Sequence, residues 1–279
     1  MITPERKELI FNRLKEDYAL LEKKGYEVLG VFLYGSDNYG LSDEQSDIDT
    51  KAIIIPKFDD LVFNKEYVSD TFIENDNSIM DVKDIRFMFK IYLKQNINFL
   101  ETLFTYYCEL NPKYIGYYSG TIFKNAEKIA HYDKGKALKT MMGDMKTKYK
   151  LLFKDTPHTH SDIEECGYSL KEFHHIMRLE EFVRRYISGE KYSGCLTSNQ
   201  TEVLMNYKRK PMEIEEVRKL AQDALKNTEE LINATLELPE FQKVDKEAEE
   251  ILNNAQRYLI QQFLMEQICD CEKVGIING

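Results

Sequence analysis

The sequence predicts an α+β fold, with a small sheet in residues 1–112 and a mainly α-helical domain in residues 113–279. Two observations predict it. The strand-like apolar runs, Val28 to Tyr34, Ala52 to Ile55 and the stretch around Ile79 to Val82, all fall early in the chain. From Asn111-Pro112 onward, amphipathic helical patterns run through Ile122 to Lys154, Leu170 to Ile187, Glu213 to Leu236 and Lys243 to Cys271, broken by loops containing Pro157, Gly189, Gly194, Pro211 and Pro239.

Each element has a local reason. Thr3-Pro4 reads as an N-cap followed by proline at the first helical position, and Ile10, Leu14, Tyr18 and Leu21 keep helical spacing until Lys23-Lys24-Gly25 ends the segment. A strand then leads to Gly35-Ser36, and a polar linker with a second glycine leads to Ser46–Ile55, expected as the next strand. After Pro56 comes a polar stretch, then the strand bearing Asp81, then a helix from about Ile85 to Gln95 with Asp84 as its N-cap. Asn98 and Glu101 have the spacing of a capping box, ahead of an apolar stripe of Leu100, Leu103 and Phe104.

The chemistry concentrates between the first two strands. If Ser46–Ile55 is a strand, Asp47 and Asp49 leave the same face with Ile48 on the other. Two converging carboxylates require a cation, and hard oxygen ligands of this kind suit Mg²⁺ that is also bound to substrate phosphates, with Mn²⁺ a substitute. Gly35 permits a tight turn and close backbone approach, while Ser36 offers a hydroxyl and an amide to phosphate oxygens.

A strand ending in Gly-Ser, a short linker, and Asp-x-Asp entering the next strand together resemble the signature of the DNA polymerase β-like nucleotidyltransferase superfamily, including its phage and bacterial members. That resemblance implies a small mixed sheet as catalytic core, Asp47 and Asp49 holding a pair of Mg²⁺ ions, Ser36 on the terminal phosphates of an NTP, and a third carboxylate from a neighbouring strand. Asp81, set among Ile79, Met80 and Val82, is the choice for that third position; Asp84 is the alternative and Asp76 a third. The stretch Lys94 to Glu101 is similar to the Gly-Asn-Pro-Asn-x-Leu-Glu-like run of some phage and bacterial members, with Gln95 and Ile97 departing from it. Those members also carry a Lys…His…Arg-Leu helix. Here Lys171, His175 and Arg178 fall at i, i+4 and i+7 and share a cationic face on an otherwise apolar helix, which calls for an anion, either a triphosphate or an acid on another helix. His174 is expected to form an interhelical hydrogen bond.

The implied activity is transfer of a nucleoside monophosphate from an NTP, ATP first among candidates, to an acceptor hydroxyl with release of pyrophosphate. The acceptor is a small molecule, a protein hydroxyl or an RNA 3′ end. Two other classes stand beside it: a catalytically inactive nucleotide-binding regulator on the same fold, and a helical interaction protein of toxin-antitoxin type. The net charge of -10 argues against extended duplex DNA binding, which depends on Lys and Arg displacing counterions. Five irregularly spaced cysteines without a signal-like amino terminus suggest reduced thiols in a cytoplasm, and Cys269 and Cys271 lack a second pair for zinc. No run approaches the roughly twenty apolar residues of a membrane span. His158 and His160 read as a polar loop, and Lys208-Arg209-Lys210 as a solvated helix end or a guide for an anionic acceptor.

Overall fold

The computed structural model describes residues 2–43, 46–73 and 78–273. Its first part runs α1 (Pro4–Lys23), β1 (Glu27–Tyr34), α2 (Ser36–Tyr39), β2 (Asp49–Ile55), α3 (Phe58–Val62), β3 (Ser69–Ile73), β4 (Ile79–Asp84), α4 (Ile85–Leu93), α5 (Ile97–Leu100), a 3-10 turn Glu101–Leu103 and β5 (Cys108–Leu110). The rest is helical: α6 (Ile115–Thr121), a 3-10 turn Phe123–Asn125, α7 (Ala126–Ala130), α8 (Lys134–Leu152), α9 (His160–Cys166), α10 (Leu170–Ile187), α11 (Tyr192–Leu196), α12 (Thr201–Arg209), α13 (Ile214–Leu236) and α14 (Lys246–Lys273). The molecule is therefore α+β. Asp76 lies outside the described residues, as do the side chains of Cys269 and Cys271. Among the described residues no helix is long and apolar enough to cross a membrane.

The sheet has the order β3-β4-β2-β1-β5 and is mixed, with β2 and β4 parallel and the other pairs antiparallel. Alternation along each strand gives it two different faces. One is covered by α1, whose Ile10, Leu14 and Leu21 pack on Val28, Val31, Leu33, Ala52, Ile54, Met80 and Val82. The other carries Phe32, Ile53 and Ile55 into a large apolar cluster shared with the helices. A register shift between Val28 and Gly30 puts Val28 on the same face as Val31, and Leu29 on the same face as Phe32, although each pair is three residues apart.

Helix α10 is the hub of the helical part, packing against α8, α11, α12 and α13 through buried Phe173, Ile176, Leu179, Phe182, Val183 and Tyr186. His174 is buried in this layer and donates from Nδ1 to the Leu204 carbonyl of α12 at 2.9 Å, the expected interhelical hydrogen bond.

Three local expectations need correction. The strand begins at Asp49 rather than Ser46, because β1 ends at Tyr34, the partner of Asp49, and leaves residues 46–48 without a ladder. The pattern from Ile122 to Lys154 breaks before α8, where Asp133 caps the new helix by accepting from Lys136 N at 2.8 Å. Asn98 and Glu101 form no capping box: Gln95 turns left-handed (φ 58°) after α4, the helix restarts one residue later, and Asn96 is the cap, its side chain accepting from Asn98 N at 3.0 Å. Asp84, by contrast, caps α4 as its position predicts, accepting from Arg86 N at 2.8 Å.

Burial pushes the His174 imidazole down to about 4, against the pull of the Leu204 carbonyl. An imidazole depressed from its unfolded value near 6.5 contributes stability that is complete above about pH 6.5 and lost as the pH falls toward 4. His174→Asn keeps a donor near the Leu204 carbonyl without a group that charges in this range. Urea denaturation of the variant should lose about 2–3 kcal/mol less than the wild type between pH 6.5 and 4.

Candidate functional site

The sheet face turned toward the helices is polar at one end. Asp49 and Lys51 follow one another on this face of β2; Tyr34 of β1 is the partner of Asp49, and Asp81 of β4 is the partner of Lys51. Asp49 Oδ1 accepts from the N–H of Ile79 at 2.8 Å, which ties the start of β2 to the start of β4. Burial raises the Asp49 carboxyl above its ordinary range and the neighbouring Asp47 raises it further, while the Ile79 N–H, Lys171 and Lys51 pull it down. Asp47 is exposed, in the segment just before β2.

Asp81 sits in a different setting. Its carboxylate contacts the Lys83 ammonium, which also donates to Ser69 Oγ at 3.0 Å. Between Asp81 and Asp49 lies buried Lys51, its ammonium 3.1 Å from the centroid of the Tyr34 ring and 4.6 Å from that of Phe99. Burial lowers Lys51 to about 7, although Asp81 and Asp49 both favour its charged form. Among the described residues no group of three His, Cys, Asp or Glu side chains is placed to hold one ion. Asp47 lies outside the sheet but close enough for its charge to act on Asp49; Asp81 shares the sheet face of Asp49 across a lysine. Asp84 is bound to Arg86 at the far end of β4.

The Gly-Ser loop lies beside this face. Gly35 takes φ 92° and ψ −152°, a conformation open to glycine, and a Cβ there would meet nothing within 4 Å, so the loop's outer side is free. Ser36 is half-buried and begins α2. Beneath the loop is Glu101, fully buried, whose carboxylate accepts from Gly35 N at 2.9 Å and from the Tyr39 hydroxyl. Burial pushes Glu101 up to about 8, while Arg178 and the Gly35 N–H draw it down.

The face of α10 expected to be cationic divides by depth, and its His175 is not a cation. Lys171 is exposed at the helix start, close enough for its charge to act on Asp49. His175 is half-buried and held neutral by burial and by the charges of Arg178, Lys148 and Lys171. Arg178 is 5% exposed, lies over the Tyr39 ring at 4.1 Å with Glu101 as its foremost attracting charge, and leaves Nε and Nη1 without hydrogen-bond partners.

Two side chains organise the linker, one of which, Arg6, the sequence did not single out. Arg6 of α1 grips Asp37 with both Nε (3.2 Å) and Nη2 (2.8 Å), and Nη2 also reaches the Ser46 carbonyl at 2.6 Å and that of Asp47 at 3.3 Å. Lys208 reaches in from α12 to the Leu41 carbonyl (3.2 Å) and Ser46 Oγ (3.0 Å), with Asp43 at 3.4 Å. Lys208 is thus a strut, while Arg209 and Lys210 of the same run are exposed. No local pattern marks Arg6, which is 31 residues from Asp37. Lys51 and Lys83 do have a signal: each is two residues beyond an aspartate in a strand, hence on the same face. His160 is bonded to Asp155 at 3.0 Å, a loop contact, and His158 is exposed.

No protein-family model matches the chain, and no curated protein matches it significantly.

Removing Arg6 would leave Asp37, 4% exposed, as a buried charge without its partner. Arg6→Ala should cost about 2–4 kcal/mol in urea denaturation, because stranding one member of a buried pair costs more than the pair contributes. The double variant Arg6→Ala/Asp37→Ala should recover part of that loss.

Proposed function

We propose that the protein is a metal-dependent nucleotidyltransferase that moves a nucleoside monophosphate from an NTP, ATP in the first instance, to an acceptor hydroxyl and releases pyrophosphate. The observation that carries this reading is the meeting at one edge of the sheet of the open Gly35-Ser36 loop, the Asp47/Asp49 pair and the charge of Lys171. In this reading Ser36 receives the terminal phosphates, Lys171 and His175 flank the triphosphate, and Arg178 supplies positive charge from beneath the loop.

The donor set suits a hard divalent cation at Asp47 and Asp49, two adjacent carboxylates whose mutual repulsion contributes to the raised pKa of Asp49. Asp81 is the residue for a second ion, which would have to displace the Lys83 ammonium that Asp81 now contacts. When bound, Mg²⁺ ions neutralise the phosphates and make the acceptor hydroxyl a better nucleophile. The acceptor oxygen forms a bond to the α-phosphorus and the bond to the β-phosphate oxygen breaks, so the protein's task is positioning and charge compensation. The acceptor classes remain a small hydroxylated molecule, a protein hydroxyl or an RNA 3′ end.

One observation favours a second reading. With Lys51 and Lys83 already compensating Asp81, the same cleft could hold a nucleotide without catalysis, as a regulator. Thermal-shift titration separates the two: Mg²⁺-dependent stabilisation by an NTP is expected for the enzyme, metal-independent stabilisation for the regulator.

Incubation with labelled NTPs and separate RNA, protein and metabolite fractions should label one fraction. Asp47→Asn and Asp49→Asn should each reduce that labelling on the order of 10²-fold or more, with the melting temperature at pH 7 unchanged or higher. The sign follows from the raised pKa of Asp49: a carboxylate that is harder to ionise when folded than when unfolded costs stability once charged, so a neutral isostere removes a cost. Labelling unchanged in both variants would overturn the mechanism.

A further inference from the structure

One carboxylate holds both ends of the Gly-Ser loop. Glu101 Oε1 accepts the N–H of Gly35, the residue before α2, and Oε2 accepts the hydroxyl of Tyr39, the last residue of α2. Every residue whose backbone or side chain could meet a phosphate at this loop lies between those two points. Gly35 is in a conformation that side-chain-bearing residues rarely adopt, and its N–H points inward to Glu101. The neighbouring polar side chains are engaged elsewhere: Asn38 turns to the Leu33 carbonyl at 2.8 Å and Asp37 to Arg6.

The helical side covers this arrangement. Glu101 is 0% exposed, and Arg178 of α10, 5% exposed, stacks on the ring of Tyr39, the residue whose hydroxyl Glu101 accepts. The guanidinium therefore touches the loop through Tyr39, and its charge draws the Glu101 carboxyl down against the larger effect of burial. Its two oxygens each meet a donor, whereas a glutamine would set its amide NH2 against one of them.

We infer that Glu101 is a positioning residue, bonded to both ends of the Gly35–Tyr39 loop beneath the Tyr39 ring that Arg178 covers, and that it fixes this loop in its nucleotide-receiving shape. The inference rests on the nucleotidyltransferase reading for what the loop receives, and on the geometry alone for the lock. It assigns the glutamate a task that a helix cap does not have: it acts on nucleotide affinity and leaves the chemical step to the aspartates.

Hydrogen exchange and steady-state kinetics on the full chain test it, with Glu101→Gln and Tyr39→Phe as variants. Tyr39→Phe removes one of the two donors without changing any charge and keeps the ring under Arg178, so it decides the matter even if Glu101→Gln fails to fold. Amide exchange in residues 35–41 should accelerate about tenfold in Glu101→Gln and about threefold in Tyr39→Phe, while β1, β2 and α10 keep wild-type protection. The KM for Mg·ATP should rise by similar factors, with kcat within about twofold of wild type. Exchange that accelerates uniformly over the sheet and α10 would make Glu101 a structural core residue and overturn the inference. So would a loop that loosens with KM unchanged, or a kcat that falls with KM unchanged. If wild-type protein binds no NTP, the nucleotidyltransferase reading fails, and the exchange pattern still decides whether Glu101 locks the loop.

Discussion

Four carboxylates, Asp37, Asp49, Asp81 and Glu101, are crowded round the edge of the sheet where the helices close over it, and each is held by a group from another part of the chain or by a lysine on its own strand. Arg6 comes from the first helix, the Ile79 N–H from the start of β4, Lys83 from β4 itself, and the Gly35 N–H and Tyr39 hydroxyl from the loop at α2. Buried charges are tolerated only with partners, and the partner left behind when one is removed is what makes such sites fragile. The loops of this region therefore depend on the arrival of distant partners, and the sheet, α1 and the helical layer must all be in place before they take their shape.

The two faces of the sheet show how unevenly this burden is spread. On the α1 face the packing is almost wholly apolar, apart from Thr50 donating to Asp17 at 2.6 Å with Arg13 paired to Asp17 at 3.0 Å. On the helix face the apolar cluster reaches Phe32, Ile53 and Ile55 and then gives way to Lys51, Asp49 and Asp81. A hydrophobic core holds the element order, and the polar end is built on its margin, where solvent still reaches Asp47 and Lys171.

Lys51 and Lys83 give the carboxylates their internal counter-ions. Lys51 is held between aromatic rings and between two aspartates, in a setting where burial works against its charge and the aspartates work for it. Such a balance sets lysine charge against the half-buried Asp49 and Asp81 while leaving Asp47 exposed. It also distinguishes the three aspartates, which by residue type alone look equivalent.

The sequence by itself determined the features that short-range periodicity and capping chemistry dictate. The first helix with its Thr3 cap, the Asp84 cap of α4, the span of α10 and the placement of the strands ahead of the helices are legible because each depends on residues within a few positions of one another. So is the pairing of Asp49 with a face of β2. Tertiary structure decided the rest. The strand order and the parallel pairing of β2 with β4 put Asp81 opposite Lys51, a relation between residues about 30 apart that alternation along one strand cannot supply. Glu101 has the spacing of a cap and instead supports a loop 66 residues earlier, because a left-handed Gln95 moved the helix start and burial left its carboxylate the Gly35 N–H and the Tyr39 hydroxyl to bond. Lys171, His175 and Arg178 of α10 share a face by spacing, yet the surrounding helices bury Arg178 and leave Lys171 in solvent. Periodicity states which way a side chain points along its own element; only the packing of elements states what it meets there.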